Sequence, residues 1–361
     1  MENRSDKHLI YPDIAKGIGI ILVILGHIEY ISLPLRNFIV SFHMPLFFVI
    51  SGILMNVTGE ENREFKSVVS KKAKHIMLPY LYFSVLDTLV YLLYFYATGR
   101  DGGMATVLSY ITNTLTFYGI SVLWFLPTLF ASEIIFLLIR KDHHFLPTIS
   151  ICISCAAVSI FLNNNLMKAN LLYGNQMLFG IFHLFAVAVL RLFPCICFIA
   201  AGYFIYPLIN RFTLKKPYKS LISALALFAI SYFTSQLNGV TDLHYLLFGN
   251  ILLYLLSSLS GVFGVINLCL VMEFFSSNFL NKVLTFYGKN SLIIMLTHLD
   301  FYILYFAEVG GLHFSKPLLG TASHDGVLSL LSLIFVLLAE TFIILFVNRF
   351  CPFIIGKNKS K

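Results

Sequence analysis

Residues 13–57 read DIAKGIGIILVILGHIEYISLPLRNFIVSFHMPLFFVISGILMNV. Two apolar runs, each long enough to cross a hydrocarbon core of about 30 Å, are separated by a short turn that carries Pro34 and Arg36. This pattern makes the segment a hairpin of two membrane helices. The rest of the chain agrees: of 361 residues, 58% are hydrophobic and only 12% charged, at a mean hydropathy of +0.84. Soluble domains hold about 25% charged residues, so an integral membrane protein is indicated. The net charge of +8 is no nucleic-acid signature if its basic residues sit in cytoplasmic loops.

Apolar windows predict an all-α protein of about ten transmembrane helices, near 14–32, 37–57, 76–97, 120–139, 145–162, 192–209, 218–237, 251–274, 289–308 and 327–348. The apolar stretch 177–191 ends in Arg191 and reads as a re-entrant or interfacial helix on the outer side. With both termini cytoplasmic, nineteen of the 25 basic residues fall in inner segments and four in outer ones, leaving Lys16 inside the membrane and Arg191 unassigned. A single membrane domain over 1–350 is expected, with 351–361 a short basic cytoplasmic tail. No cleavage site separates the first two spans, so the first is expected to stay as an anchor. The six cysteines lie in or beside apolar segments and read as small hydrophobes, including Cys152 and Cys155 in their C-x-x-C spacing, so no metal site is expected.

Ionisable residues at bilayer depth are costly unless they face a partner or a wet cavity, which makes each a functional candidate. Lys16 and His27 are eleven residues apart and fall within about 20° of one helical face, about 16 Å along the axis. Asp13, three residues before Lys16, is placed to pair with it. His27 lies about 8 Å below Ser32, and His43 in the second span about 10 Å below Arg36, so the two imidazoles are expected to share one cavity. Gly26 removes bulk beside His27, and Pro45 is expected to break the second helix and free carbonyls. Trp124, Asn290, Ser291 and His298 are further polar candidates at depth, with Trp124 and His298 expected as walls of the same cavity. Glu133, His183, Asp300 and Glu340 read as helix-packing hydrogen bonds.

Six segments in series carry a resemblance: DIAKGIGIILVILGH (13–27), SFHMPLFFVISG (41–52), KKAKHIMLPY (71–80), LWFLPTLF (123–130), FPCICFIAAGYFI (193–205) and GKNSLIIMLTH (288–298). The chain resembles the acyltransferase-3 membrane acyltransferases, and its FHMPLFF form looks most like the branch of fucose 4-O-acetylase-like sugar acetyltransferases. The family's basic-x10-His motif falls on Lys16 and His27, with Lys in place of the commoner Arg. Its Arg-x-x-Arg pair falls on Lys72 and His75, so Lys71 and Lys74 are expected to supply the missing charge. The family's optional extracytoplasmic esterase-like domain has no counterpart after residue 350.

The resemblance implies an O-acyltransferase of the cytoplasmic (inner) membrane with acyl-CoA, acetyl-CoA above all, as cosubstrate and no permanently bound cofactor. The implied acceptor is a hydroxyl of a cell-surface polysaccharide or lipid-linked sugar. His27 and His43 are the expected catalytic residues; Asp13, Lys16, Lys71, Lys72, Lys74, Trp124, Asn290, Ser291 and His298 are the expected binding residues. His27 would act as general base, and an acyl-histidine step is the variant of that chemistry. The competing class is a proton-coupled sugar transporter, against which no internal repeat is visible.

Overall fold

The computed structural model describes residues 9–99, 103–173, 177–212, 217–275, 278–299, 301–319 and 325–357. Asp300 and the basic residues Arg4, Lys7, Arg100, Lys215, Lys216, Lys359 and Lys361 lie outside them. Among the described residues the chain is a bundle of helices: α1 Tyr11–His27, α2 Leu33–Thr58, α3 Phe65–Lys72, α4 Leu78–Thr98, α5 Gly103–Leu115, α6 Phe125–Asp142 and α7 Phe145–Tyr173 form its first half. The second half is α8 Met177–Phe212, α9 Pro217–Asn238, α10 Ile251–Phe274, α11 Phe279–Lys289, α12 Ser291–Thr297, α13 Ile303–Leu319 and α14 Asp325–Phe350. Among the described residues, eight helical runs are long and apolar enough to cross a membrane. The helical, membrane-spanning architecture expected from hydropathy is therefore present, and large apolar side chains such as Leu93, Leu178, Leu237 and Phe342 point outward from it.

Two glycine contacts set the centre of the bundle. A Cβ on Gly52 of α2 would run into the carbonyl of Ile199 on α8, and one on Gly202 of α8 into the carbonyl of Val49. Gly17 of α1 and Gly288 of α11 meet the carbonyls of Leu284 and Asp13 in the same reciprocal way. Small residues let helices approach to backbone contact, which is how membrane bundles gain packing without a hydrophobic drive between helices. Helices α1 and α2 consequently sit inside the bundle, packed on each other and on α10, with α8 and α11 outside them.

Three expectations are corrected. Residues 177–191 form no re-entrant helix; they are the first half of α8, which runs unbroken through Pro194. Arg191 looked like a boundary because a charge at depth is costly, but it is fully buried and bonded to carbonyls of other segments. Pro45 does not break α2, which continues to Thr58; a proline inside a helix removes one ladder bond, here to the carbonyl of Ser41, without necessarily ending it. The ninth predicted span is discontinuous: α12 ends at Thr297, the amide of Leu304 returns to the carbonyl of His298 at 3.1 Å, and α13 starts afresh. The tail itself opens in a 3₁₀ turn, Pro352–Ile355, in which Pro352 and Ile355 are buried and which packs against α4 and α14.

Candidate active site

Helix α1 ends at His27, five residues earlier than hydropathy suggests, because Ile28 turns extended and Arg36 draws the turn inward through the carbonyls of Ile28 at 2.6 Å and Glu29 at 3.3 Å. His27 is thus the last residue of its helix, and it is exposed into a cavity of about 460 Å³. His43 of α2 lines the same cavity, as do Gly26, Trp124, Asp242 and Tyr245. The two imidazoles placed at matching depth by residue counting are brought together in one chamber. Gly26 faces the side chains of Ile39 and Val40 rather than a backbone, so its bareness opens the chamber instead of admitting a neighbouring helix.

The histidines share one hydrogen-bonding geometry. Nδ1 of His27 lies 2.8 Å from the carbonyl of Val23, Nδ1 of His43 3.0 Å from that of Ile39, and Nδ1 of His298 2.7 Å from that of Ile294. A carbonyl only accepts, so each Nδ1 carries the proton and donates it, which leaves each neutral Nε2 with a free lone pair. His298 does not line the chamber. It is fully buried behind His27, ring centroids 5.4 Å apart, and among the described residues its Nε2 has no hydrogen-bond partner. Its neighbour Thr297 donates to the buried carboxylate of Glu340 at 2.8 Å, which is a helix-packing bond between α12 and α14.

A second cavity, of about 410 Å³, lies on the side of α1 that carries Lys16. Phe47, Ile50, Leu54, Leu126 and Leu129 give it apolar walls, and Ser291, Lys72 and Glu133 give it polar ones. Met295 lines both cavities, so their walls meet at a flexible side chain. Lys16 pairs with Asp13 at 2.8 Å. The stripe drawn along α1 therefore has its lysine in this cavity, named inner after the expected sidedness, and its histidine in the other, named outer.

Other expected binding residues fall elsewhere. Lys72 is held by Glu60 at 2.8 Å and Glu133 at 3.0 Å, while Glu133 also accepts from Ser51, so this lysine faces two carboxylates and has no unmatched charge for a phosphate. Lys71 and Lys74 are exposed and line neither cavity. Asn290 caps the junction of α11 and α12 and accepts from Asn348 of α14 at 2.9 Å, a tie between helices. Trp124 lines the outer chamber, but its ring is stacked on His244 at 5.1 Å, within 1° of parallel, and lies 4.8 Å from the Arg191 guanidinium. Expected as a binding surface, Trp124 is first a packing element of the wall. Among the described residues, His183 makes no packing bond through Nε2, which is buried.

The loop between α9 and α10 was missed by the sequence reading. Asp242, Leu243, His244 and Tyr245 all line the outer chamber. Asp242 and Leu247 exchange backbone bonds at 2.8 Å, and the Asp242 carboxylate accepts from the amides of His244 at 2.7 Å and Tyr245 at 3.4 Å, which folds the loop inward. Burial raises the Asp242 carboxyl above the usual carboxylate range, and burial with Arg191 nearby pushes His244 down to about 2. The signal was present as the run T-D-L-H-Y at 241–245, two ionisable residues and an aromatic in a short outer loop. Arg191 fastens this loop to the one before α6: its guanidinium donates to the carbonyls of Tyr118 at 3.1 Å, His244 at 3.3 Å and Phe117 at 3.4 Å.

Comparison with known proteins finds that residues 9–348 match the profile of the acyltransferase-3 family, described as an acyltransferase domain. The chain is also similar to "Nodulation protein NolL" of Sinorhizobium fredii (strain NBRC 101917 / NGR234), 30% identical over 132 residues, which is 33% of this chain. The chain spans 36% of the length of that curated relative. No solved structure matches.

Proposed function

The chain belongs to the acyltransferase-3 family, and from that premise we propose that it moves an acyl group, acetyl above all, from cytosolic acyl-CoA to a hydroxyl of a cell-surface polysaccharide or lipid-linked sugar at the inner (cytoplasmic) membrane. The observation that carries this reading is the pair of cavities meeting at Met295, with Lys16 in one and His27 in the other at opposite ends of α1. An acyl-CoA entering from the basic side would lay its thioester arm along the apolar inner cavity and bring the carbonyl past Met295. The acceptor hydroxyl would enter the outer chamber from the other side.

In the transfer, Nε2 of His27 takes the hydroxyl proton as the oxygen attacks the thioester carbonyl. Collapse of the tetrahedral adduct breaks the C–S bond, the acyl group stays on the acceptor oxygen, and the CoA sulfur leaves and recovers the proton from His27. The Asn113 amide and the Ser121 hydroxyl, both in the chamber wall, are donors of the kind that stabilise such an oxyanion. His43 offers a second Nε2 to position the acceptor. The test is radiolabelled acetyl-CoA offered to the purified chain with glycan acceptors: His27→Ala should lose about 10²- to 10⁴-fold in transfer rate while inserting normally into membranes. Transfer at the wild-type rate by that variant would remove His27 from the chemistry.

A further inference from the structure

The charge of the outer chamber narrows the acceptor. Among the described residues, no lysine or arginine lines it, and Asp242 is the carboxylate in its wall. The nearest buried cation, Arg191, has no accessible surface and turns its guanidinium to three carbonyls. Arg36, at the outer turn, is bonded to the carbonyls of Ile28 and Glu29. At that turn the Arg36 charge is set against two carboxylates, those of exposed Glu29 and of Glu308, which accepts from the Glu29 amide at 2.7 Å.

The hydrogen-bonding character points the same way. With Nδ1 tied to their own helices, His27 and His43 present lone pairs to the chamber, and Asp242 presents a carboxylate, so the polar wall is rich in acceptors and suits a ligand rich in O–H donors. Tyr245 adds an aromatic surface: it is 48% exposed, lines the chamber and stacks on His244 with centroids 4.4 Å apart. An aromatic face beside a few placed polar groups suits a ring with one apolar face and hydroxyls at its edge.

Resting on the proposed acyl transfer, we propose that the acceptor is an uncharged saccharide ring, with Asp242 receiving hydrogen bonds from its hydroxyls and Tyr245 packing against its apolar face. A uronate, a sialate or a sugar phosphate would bring a second negative charge against Asp242 with no cation in the wall to meet it. Like charges set together in an interface repel, so selectivity here comes from repulsion as well as attraction.

The test uses the full chain, acetyl-CoA, and matched acceptors: methyl glycosides of a hexose and a 6-deoxyhexose against methyl glycosides of a hexuronic and a sialic acid, with CoA thiol release and acylated product both measured. Neutral glycosides should be acylated at least about tenfold faster than anionic ones at equal concentration. Asp242→Asn should shrink that ratio and Asp242→Lys invert it, and Tyr245→Ala should raise KM for the neutral acceptor with little change in KM for the donor. Because ratios within one variant are compared, partial loss of folded protein does not mask the result. His27-dependent transfer that runs equally to both acceptor sets overturns the inference and leaves the acyl-transfer reading standing. No His27-dependent thiol release with any acceptor overturns that reading and the inference with it.

Discussion

The imidazole of His298 meets that of His27 edge to face, with ring centroids 5.4 Å apart and planes at 76°. His298 stands at the break between α12 and α13, so the break places a fully buried ring behind the proposed base and limits how His27 turns.

Removing that ring should loosen the base without touching either substrate. His298→Ala is expected to lower kcat by about 10- to 100-fold, the scale of a misplacement near 1 Å, with KM for donor and acceptor nearly unchanged. His298→Phe, which keeps an aromatic edge, should recover much of the loss. Equal damage from both substitutions would mean that the Nε2 of His298, rather than its bulk, matters.

Lys72 separates Glu60 from Glu133 at 2.8 and 3.0 Å. Breaking a buried ion pair from one side costs about 3–5 kcal/mol, so Lys72→Ala should lower the melting temperature of the detergent-solubilised protein far more than Lys71→Ala does. Glu133→Gln in the Lys72→Ala background should restore part of the stability. Donor affinity at low salt should instead respond to Lys71 and Lys74, whose exposed charges are screened by added salt.

Arg191 joins the Phe117–Tyr118 turn to the His244 carbonyl. Arg191→Lys keeps the charge but lacks the planar fork, leaving buried carbonyls unpaired at about 1–3 kcal/mol each. The expected kinetic result is a higher KM for the acceptor, whose chamber these loops wall, with the donor KM unchanged. A donor-side defect would show that the two cavities are coupled through this residue.

Asp242 gives a pH dependence with a definite sign. Burial raises its carboxyl, against the amides of His244 and Tyr245 and the positive field of Arg191. Its carboxylate, and with it kcat/KM for a neutral acceptor, should therefore appear as pH rises through a range above the ordinary value of about 3.9. A folded-state value above the unfolded one also means that stability present at low pH is lost as pH rises through that range. Asp242→Asn should flatten both profiles, while His244, held near 2, stays neutral throughout.

By itself the sequence determined the class of the protein and the polar stripe of α1. Hydropathy and charge are properties of consecutive residues, so long apolar runs separated by basic clusters announced a polytopic membrane protein. Helical periodicity is equally local, which is why Lys16 and His27 could be set on one stripe, and counting from one turn could bring His27 and His43 to one depth. Pairings between distant segments were decided by the tertiary structure alone. Arg191 resembles a helix boundary until carbonyls from the 117–118 turn and from His244 surround it. Lys72 resembles a free phosphate ligand until Glu133, on another helix, reaches it. Asp242 and Tyr245 read as an ordinary outer loop until that loop folds over the chamber. A polar group at bilayer depth must be satisfied by some partner, and the sequence shows that need; only the packed bundle determines which residue meets it.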